Sequence, residues 1–111
     1  MNFDKIFETI DHLYENNKND EILMDLIPEF YQKAIEYTKY RVDWNFYSRE
    51  EKQENDKYRT SKHNSFMDSY NILVRYLGKT MDVSIFNIGE DRKVYGDLAN
   101  YVVYQLALKQ R

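Results

Sequence analysis

The stretch IGEDRKVYGDLANYVVYQLALK, residues 88–109, decides how this chain folds. Wound at 3.6 residues per turn, it spreads Val94, Tyr95, Leu98, Ala99, Tyr101, Val102, Val103, Leu106, Ala107 and Leu108 almost all the way round a helix. Asp97, Asn100 and Tyr104 leave only a narrow polar strip. A helix apolar on most sides is covered on most sides. It is expected either at the centre of a bundle or in a subunit interface, and Gly96 and Ala99 would let a neighbouring helix come close. Asn87 with Glu90 forms a capping pattern at its start, and Asp91 adds a favourable charge there.

The segments before it supply the rest of a bundle. Residues 60–78 read as a helix whose apolar face is Phe66, Met67, Tyr70, Leu73, Val74 and Leu77, with Gly78 as its C′ residue. Residues 79–87, with Met81, Val83, Ile85 and Phe86, are expected as a loop or short extended piece over the bundle. Residues 3–15 place Phe3, Ile6, Phe7, Ile10, Leu13 and Tyr14 on one stripe, with Asp4, Glu8, Asp11 and Glu15 on an acidic flank. After the polar break at residues 16–20, a short helical piece is expected over 21–27, capped by Asn19 or Asp20. Pro28 predicts a kink or restart, because proline inside a helix loses a hydrogen bond and clashes with the preceding turn. From there a helix is expected to about Tyr47, with Phe30, Ala34, Tyr37 and Trp44 on one face, flanked by Tyr31, Ile35, Val42 and Phe46.

Residues 48–62 differ from all of these. They carry nine charged side chains, and only Tyr58 is a core candidate. Ser48 with Glu51 fits a capping box. The stretch is expected as a solvated helix or a mobile, charged connector. The fold class is therefore all-α, a compact bundle of four to five helices in one domain spanning 1–111.

Composition agrees. Three Gly and one Pro in 111 residues are too few for a turn-rich sandwich or barrel. The absence of Cys excludes disulfides, thiolate metal sites and a Cys nucleophile. No apolar run approaches the roughly 20 residues that span a bilayer. The first residues lack the basic and apolar regions of a signal peptide, so a cytoplasmic protein is expected. Lys, Asn, Ile and Tyr are abundant, as in proteins of AT-rich genomes. The net charge of -3 hides an asymmetry: residues 1–56 hold 14 acidic and 7 basic side chains, residues 57–111 hold 5 and 9. Such asymmetry marks a nucleic-acid surface, a head-to-tail contact, or two halves that neutralise each other within one bundle.

No phosphate loop, dinucleotide fingerprint, zinc-protease or serine-hydrolase motif is present. Two distant His make a metal site unpromising, so no metal and no cofactor are expected; His12 falls opposite the apolar stripe of its helix. The informative positions are polar groups on apolar faces. Arg59 and His63 share a face with Phe66, Tyr70 and Leu73, and Arg41 shares one with Tyr37 and Trp44. A buried charge needs a partner. Tyr37 and Trp44 could stack on Arg41, and Asp91 or Asp97 could pair with the arginines. Asn64, Asp68, Asn71 and Arg75 form a polar stripe, usually a solvated face laced with hydrogen bonds.

Arg59-Thr60-Ser61-Lys62-His63 resembles, over two residues, the Arg-x4–6-His motif of HEPN-type ribonucleases, which are small helical bundles. The spacing here is one residue shorter, and the pair lies mid-chain rather than near the C-terminal helix, so membership is not claimed. The resemblance implies a site shared across a dimer, with His63 as general acid or base and Arg59 on a phosphate.

The eleven Tyr suit a core with hydroxyls at the surface, a partner interface, or base stacking. The leading expectation is a small non-enzymatic adaptor, regulator or inhibitor of the kind borne by phages or mobile elements. It would act through protein–protein contacts involving Arg41, Trp44, Tyr95, Tyr101 and Tyr104, and form a homodimer through the last helix. An RNA-directed nuclease using Arg59 and His63, or a nucleic-acid module using the basic half, are the alternatives. Nucleic acid is disfavoured because Tyr31, Tyr37 and Tyr40 sit in the acidic half.

Overall fold

The structure, a computed structural model, describes residues 2–110. Those residues form four helices and no strand: α1 (Phe3–Asn16), α2 (Glu21–Trp44), α3 (Arg49–Leu77) and α4 (Arg92–Lys109), with a 3-10 turn at Ser84–Phe86. The expected all-α bundle forms, with four helices.

Asn2 caps α1, its Oδ1 accepting from the Lys5 N–H at 3.0 Å, and Ile6, Phe7 and Ile10 are buried. α2 starts at Asp20, whose carboxylate accepts from the Leu23 N–H at 3.0 Å. It does not restart at Pro28. The helix is continuous from Glu21 to Trp44 with the proline exposed. The local penalty, about 3 kcal/mol, is offset because Leu23 and Ile27 before the proline and Phe30 and Ala34 after it are all buried in one core. α2 also ends three residues earlier than expected, which leaves Phe46 outside it and 84% exposed.

The charged stretch 48–62 is not a connector. It is the N-terminal half of α3, a single helix of 29 residues. The capping box forms in both directions: Ser48 Oγ accepts from the Glu51 N–H at 3.1 Å, and Glu51 Oε1 accepts from the Ser48 N–H at 3.0 Å. Arg, Glu, Lys and Gln favour the helix by propensity, and Asn55 and Arg59 tie it to Tyr40 and Trp44 of α2. Tyr58, the expected core residue, is 55% exposed. Gly78 ends α3 in the right-handed region at φ -61, so it is a C-cap rather than a left-handed C′.

α4 begins at Arg92 rather than near residue 88. Its N-cap is Asp91, whose Oδ1 accepts from the Lys93 N–H at 2.9 Å, while Asn87 closes the preceding 3-10 turn. α4 joins the bundle through one face rather than all round, with Asp97, Asn100, Tyr104, Ala107 and Leu108 exposed. It packs against α1, α2 and α3 and buries Tyr95, Gly96, Leu98, Ala99 and Val102.

α2 and α3 form an antiparallel hairpin, tied along its length by Tyr40 to Asn55, Tyr37 to His63 and Asp20 to Tyr76. Between them and α4 stands a pile of rings: Phe30, Tyr37, His63, Phe66, Tyr70 and Tyr95, with neighbouring centroids 5.4 to 6.5 Å apart. The Tyr70 hydroxyl, buried within it, donates to the Phe86 carbonyl at 2.6 Å and so fastens the 3-10 turn over the core.

Candidate functional site

Where α2 ends, α3 passes and α4 begins, the bundle opens into a cleft of about 400 Å³. Arg41 comes from the last turn of α2, Arg59 from the middle of α3, and Arg92 and Lys93 from the first turn of α4. Tyr37, Val42, Trp44, Asn45 and Asn100 complete the walls. Among the described residues no carboxylate lines the cleft. Among the described residues the ion pairs lie elsewhere, at Lys33 with Glu29 and Glu36, and at Lys109 with Asp11 and Glu15.

The expected acidic partners of Arg41 and Arg59 are therefore not there. Asp91 is occupied as the cap of α4, and Asp97 points its side of the helix outward, exposed. Aromatic faces stand in for carboxylates. The Arg59 guanidinium lies 4.7 Å from the Trp44 ring, and that of Arg41 lies 5.7 Å from the Tyr37 ring. Tyr37 and Trp44 thus serve two arginines rather than both stacking on Arg41. Gly96 makes the placement of Arg41 possible, because a Cβ there would overlap Nη1 and Cζ of the guanidinium. Nη1 is buried, and no group of the described residues accepts a hydrogen bond from it. A buried donor left unpaired costs free energy of about 1–3 kcal/mol or more when charged.

His63 lies behind this wall rather than on it. It is 3% exposed, and its Nδ1 is 3.2 Å from the Tyr37 hydroxyl. Burial lowers its pKa below 6.5, and the guanidiniums of Arg92, Arg59 and Arg41 lower it further. Both effects favour the neutral imidazole, and the three arginines that converge on the cleft are felt through its back wall. Arg59 and His63, four residues apart on one helix, thus part ways. Arg59 reaches the cleft, while Tyr37 covers His63.

The remaining sequence candidates scatter. Tyr95 is in the core and donates to Asn71 Oδ1 at 3.3 Å; Tyr101 is half-buried against Phe3 and accepts from Gln105; Tyr104 is 59% exposed. Asn64, Asp68 and Arg75 stand exposed on α3. Arg92, Lys93 and Asn100 carry no signal in the sequence as site residues. The available hint was Gly96, whose missing side chain marks a close approach, here by an arginine rather than by a helix backbone.

A second, more open cleft shares Trp44 and adds Arg49, Lys52, Gln53 and Asp56 from the first turns of α3. Among the described residues no helix is long and apolar enough to cross a membrane, and no three His, Asp or Glu gather as metal ligands. The chain matches no protein-family model, no curated protein and no solved structure.

Proposed function

We propose that the chain is a non-enzymatic binding protein of the cytoplasm, and that its cleft takes a phosphate or similar oxyanion carried by its partner. The observation that supports this is the convergence of Arg41, Arg59, Arg92 and Lys93 on one cleft, with no carboxylate among the described residues that line it. Like charges held together in a concave, partly apolar site raise the free energy of the empty fold, and an anion relieves that cost. Guanidinium forks match the geometry of phosphate oxygens. The first turn of α4 adds the positive end of a helix dipole to the same cleft. Binding is favoured over turnover because the one nearby imidazole is covered by Tyr37, which leaves the cleft without a general base.

The test is titration with inorganic pyrophosphate in low-salt buffer, followed by thermal unfolding and by calorimetry. The expected result is a saturable rise in melting temperature, following the linkage RT ln(1 + [L]/Kd). Arg92 and Lys93 are both exposed, so Arg92→Ala with Lys93→Ala should fold normally and bind at least about tenfold more weakly. A melting temperature indifferent to pyrophosphate would sink the proposal.

A further inference from the structure

Resting on the anion-binding reading above, we infer that the occupant of this cleft is a single-stranded nucleic acid, threaded across Trp44 from the cleft between α2 and α4 to the one at the start of α3. Two features extend the argument beyond a lone anion. First, the cationic surface continues. Arg41, Arg59, Arg92 and Lys93 lie in the first cleft, Arg49 and Lys52 outnumber the single carboxylate of Asp56 in the second, and Trp44 belongs to both. A single phosphate needs one such cluster, whereas a chain of phosphates needs a track. Second, aromatic rings accompany the cations. Tyr47 sits 6.1 Å from Trp44, and Phe46, between them in the chain, is 84% exposed with no structural work for its ring. Cations that follow a backbone beside rings that accept base faces are the two components of sequence-tolerant single-strand binding.

A duplex fits less well, since its stacked bases would leave these rings without partners. An acidic peptide would use the cations but not the rings. The charge asymmetry of the sequence argued against nucleic acid near the tyrosines of α2. Folding changes this locally, because α3 and α4 bring Arg59, Arg92 and Lys93 from the basic half against the end of α2.

Trp44 is the only tryptophan in the chain, so its fluorescence reports directly on the proposed contact. The experiment titrates the full chain at low salt with rU8, dT8, inorganic pyrophosphate and an octaglutamate peptide, each against wild type, Phe46→Ala and the Arg92→Ala, Lys93→Ala pair. Saturable quenching by rU8, dT8 or both is expected, weakening steeply as salt is raised. The Arg92, Lys93 variant should weaken it at least about tenfold. Phe46→Ala, at an exposed position outside any helix, should weaken it about fivefold or more, the size of one base–ring stack. Preference for rU8 or dT8 tells RNA from DNA. If pyrophosphate binds as tightly as the oligonucleotides and Phe46→Ala changes nothing, the strand is overturned while anion binding stands. Equal binding of octaglutamate also overturns it, in favour of an acidic protein partner. If no anion binds, both proposals fall.

Discussion

Gly96 shows how one missing side chain sets the geometry of the cleft. The Arg41 guanidinium occupies the space a Cβ would take. Since the obstruction would be the far end of a flexible side chain, Gly96→Ala can be accommodated by moving Arg41. The helix itself gains, because alanine is favoured over glycine by about 1 kcal/mol in a helix interior. Thermal unfolding of Gly96→Ala should therefore show stability within about 1 kcal/mol of wild type, while calorimetry shows weaker pyrophosphate binding. Unchanged affinity would mean that the position of Arg41 does not matter to the site. His63 yields a pH prediction. It faces Tyr37 and Arg41 of α2, Arg59 of its own helix, and Tyr95 and Arg92 of α4. Its pKa is lowered in the fold, so as pH falls below 6.5 the unfolded chain takes up a proton that the folded chain resists. Its contribution to stability is complete above 6.5 and is lost as pH falls towards the folded pKa. The melting temperature of wild type should fall between about pH 7 and pH 5. His63→Phe keeps a ring in the pile, cannot titrate, and should flatten that slope. It should also lower stability at neutral pH by about 1–3 kcal/mol, as the Tyr37 hydroxyl loses its partner. An equal slope in both proteins would assign the pH response elsewhere.

Among the elements, α1 was the most legible in the sequence, and the first half of α3 the least. α1 writes its packing in an unbroken 3.6-residue stripe, and Ile6, Phe7 and Ile10 are buried as that stripe requires. In α3 the apolar stripe ends near His63, and the half before it packs on α2 through polar side chains such as Asn55 and Arg59. Hydrophobic period is silent there, and only the Ser48–Glu51 box and helix-forming composition speak for a helix. Ser48→Ala therefore tests what holds that half. It should cost about 1 kcal/mol, with faster hydrogen exchange at the amides of Glu51 and Lys52 and little change from His63 onward. Uniformly faster exchange along α3 would show that the helix opens as one unit. Pro28 misleads in the opposite sense. A local rule predicts a break, but burial of Leu23, Ile27, Phe30 and Ala34 on both sides of it overrides the rule. The cleft was half legible: Arg41, Trp44 and Arg59 stood out as polar or aromatic groups at apolar positions. Arg92 and Lys93 did not, because nothing local says that the start of α4 meets the end of α2.

For the whole molecule, the question is where the apolar surface of α4 and the separated charges end up. The expectation of a homodimer through α4 rested on a helix apolar on nearly every side. α1, α2 and α3 cover most of that surface within one chain, and Tyr104 and Leu108 are the large apolar side chains of α4 that stay exposed, at 59% and 37%. The charges follow a different course. Lys109 of α4 is bound at 2.7 Å to Asp11 of the acidic α1, so the two halves neutralise each other at that end. At the cleft they do not, and a cationic surface remains on a chain whose net charge is -3. Self-association through the cleft would be electrostatic, the cleft of one copy meeting carboxylates of another. Such contact is screened beyond about 10 Å at 0.1 M salt. Sedimentation at micromolar concentration should accordingly give a monomer at about 0.15 M salt. Association should emerge only as salt is lowered, and should vanish in the Arg92→Ala, Lys93→Ala variant. A dimer that survives high salt and dissociates on Tyr104→Ser with Leu108→Ser would instead place the contact on α4, with those two side chains at its centre.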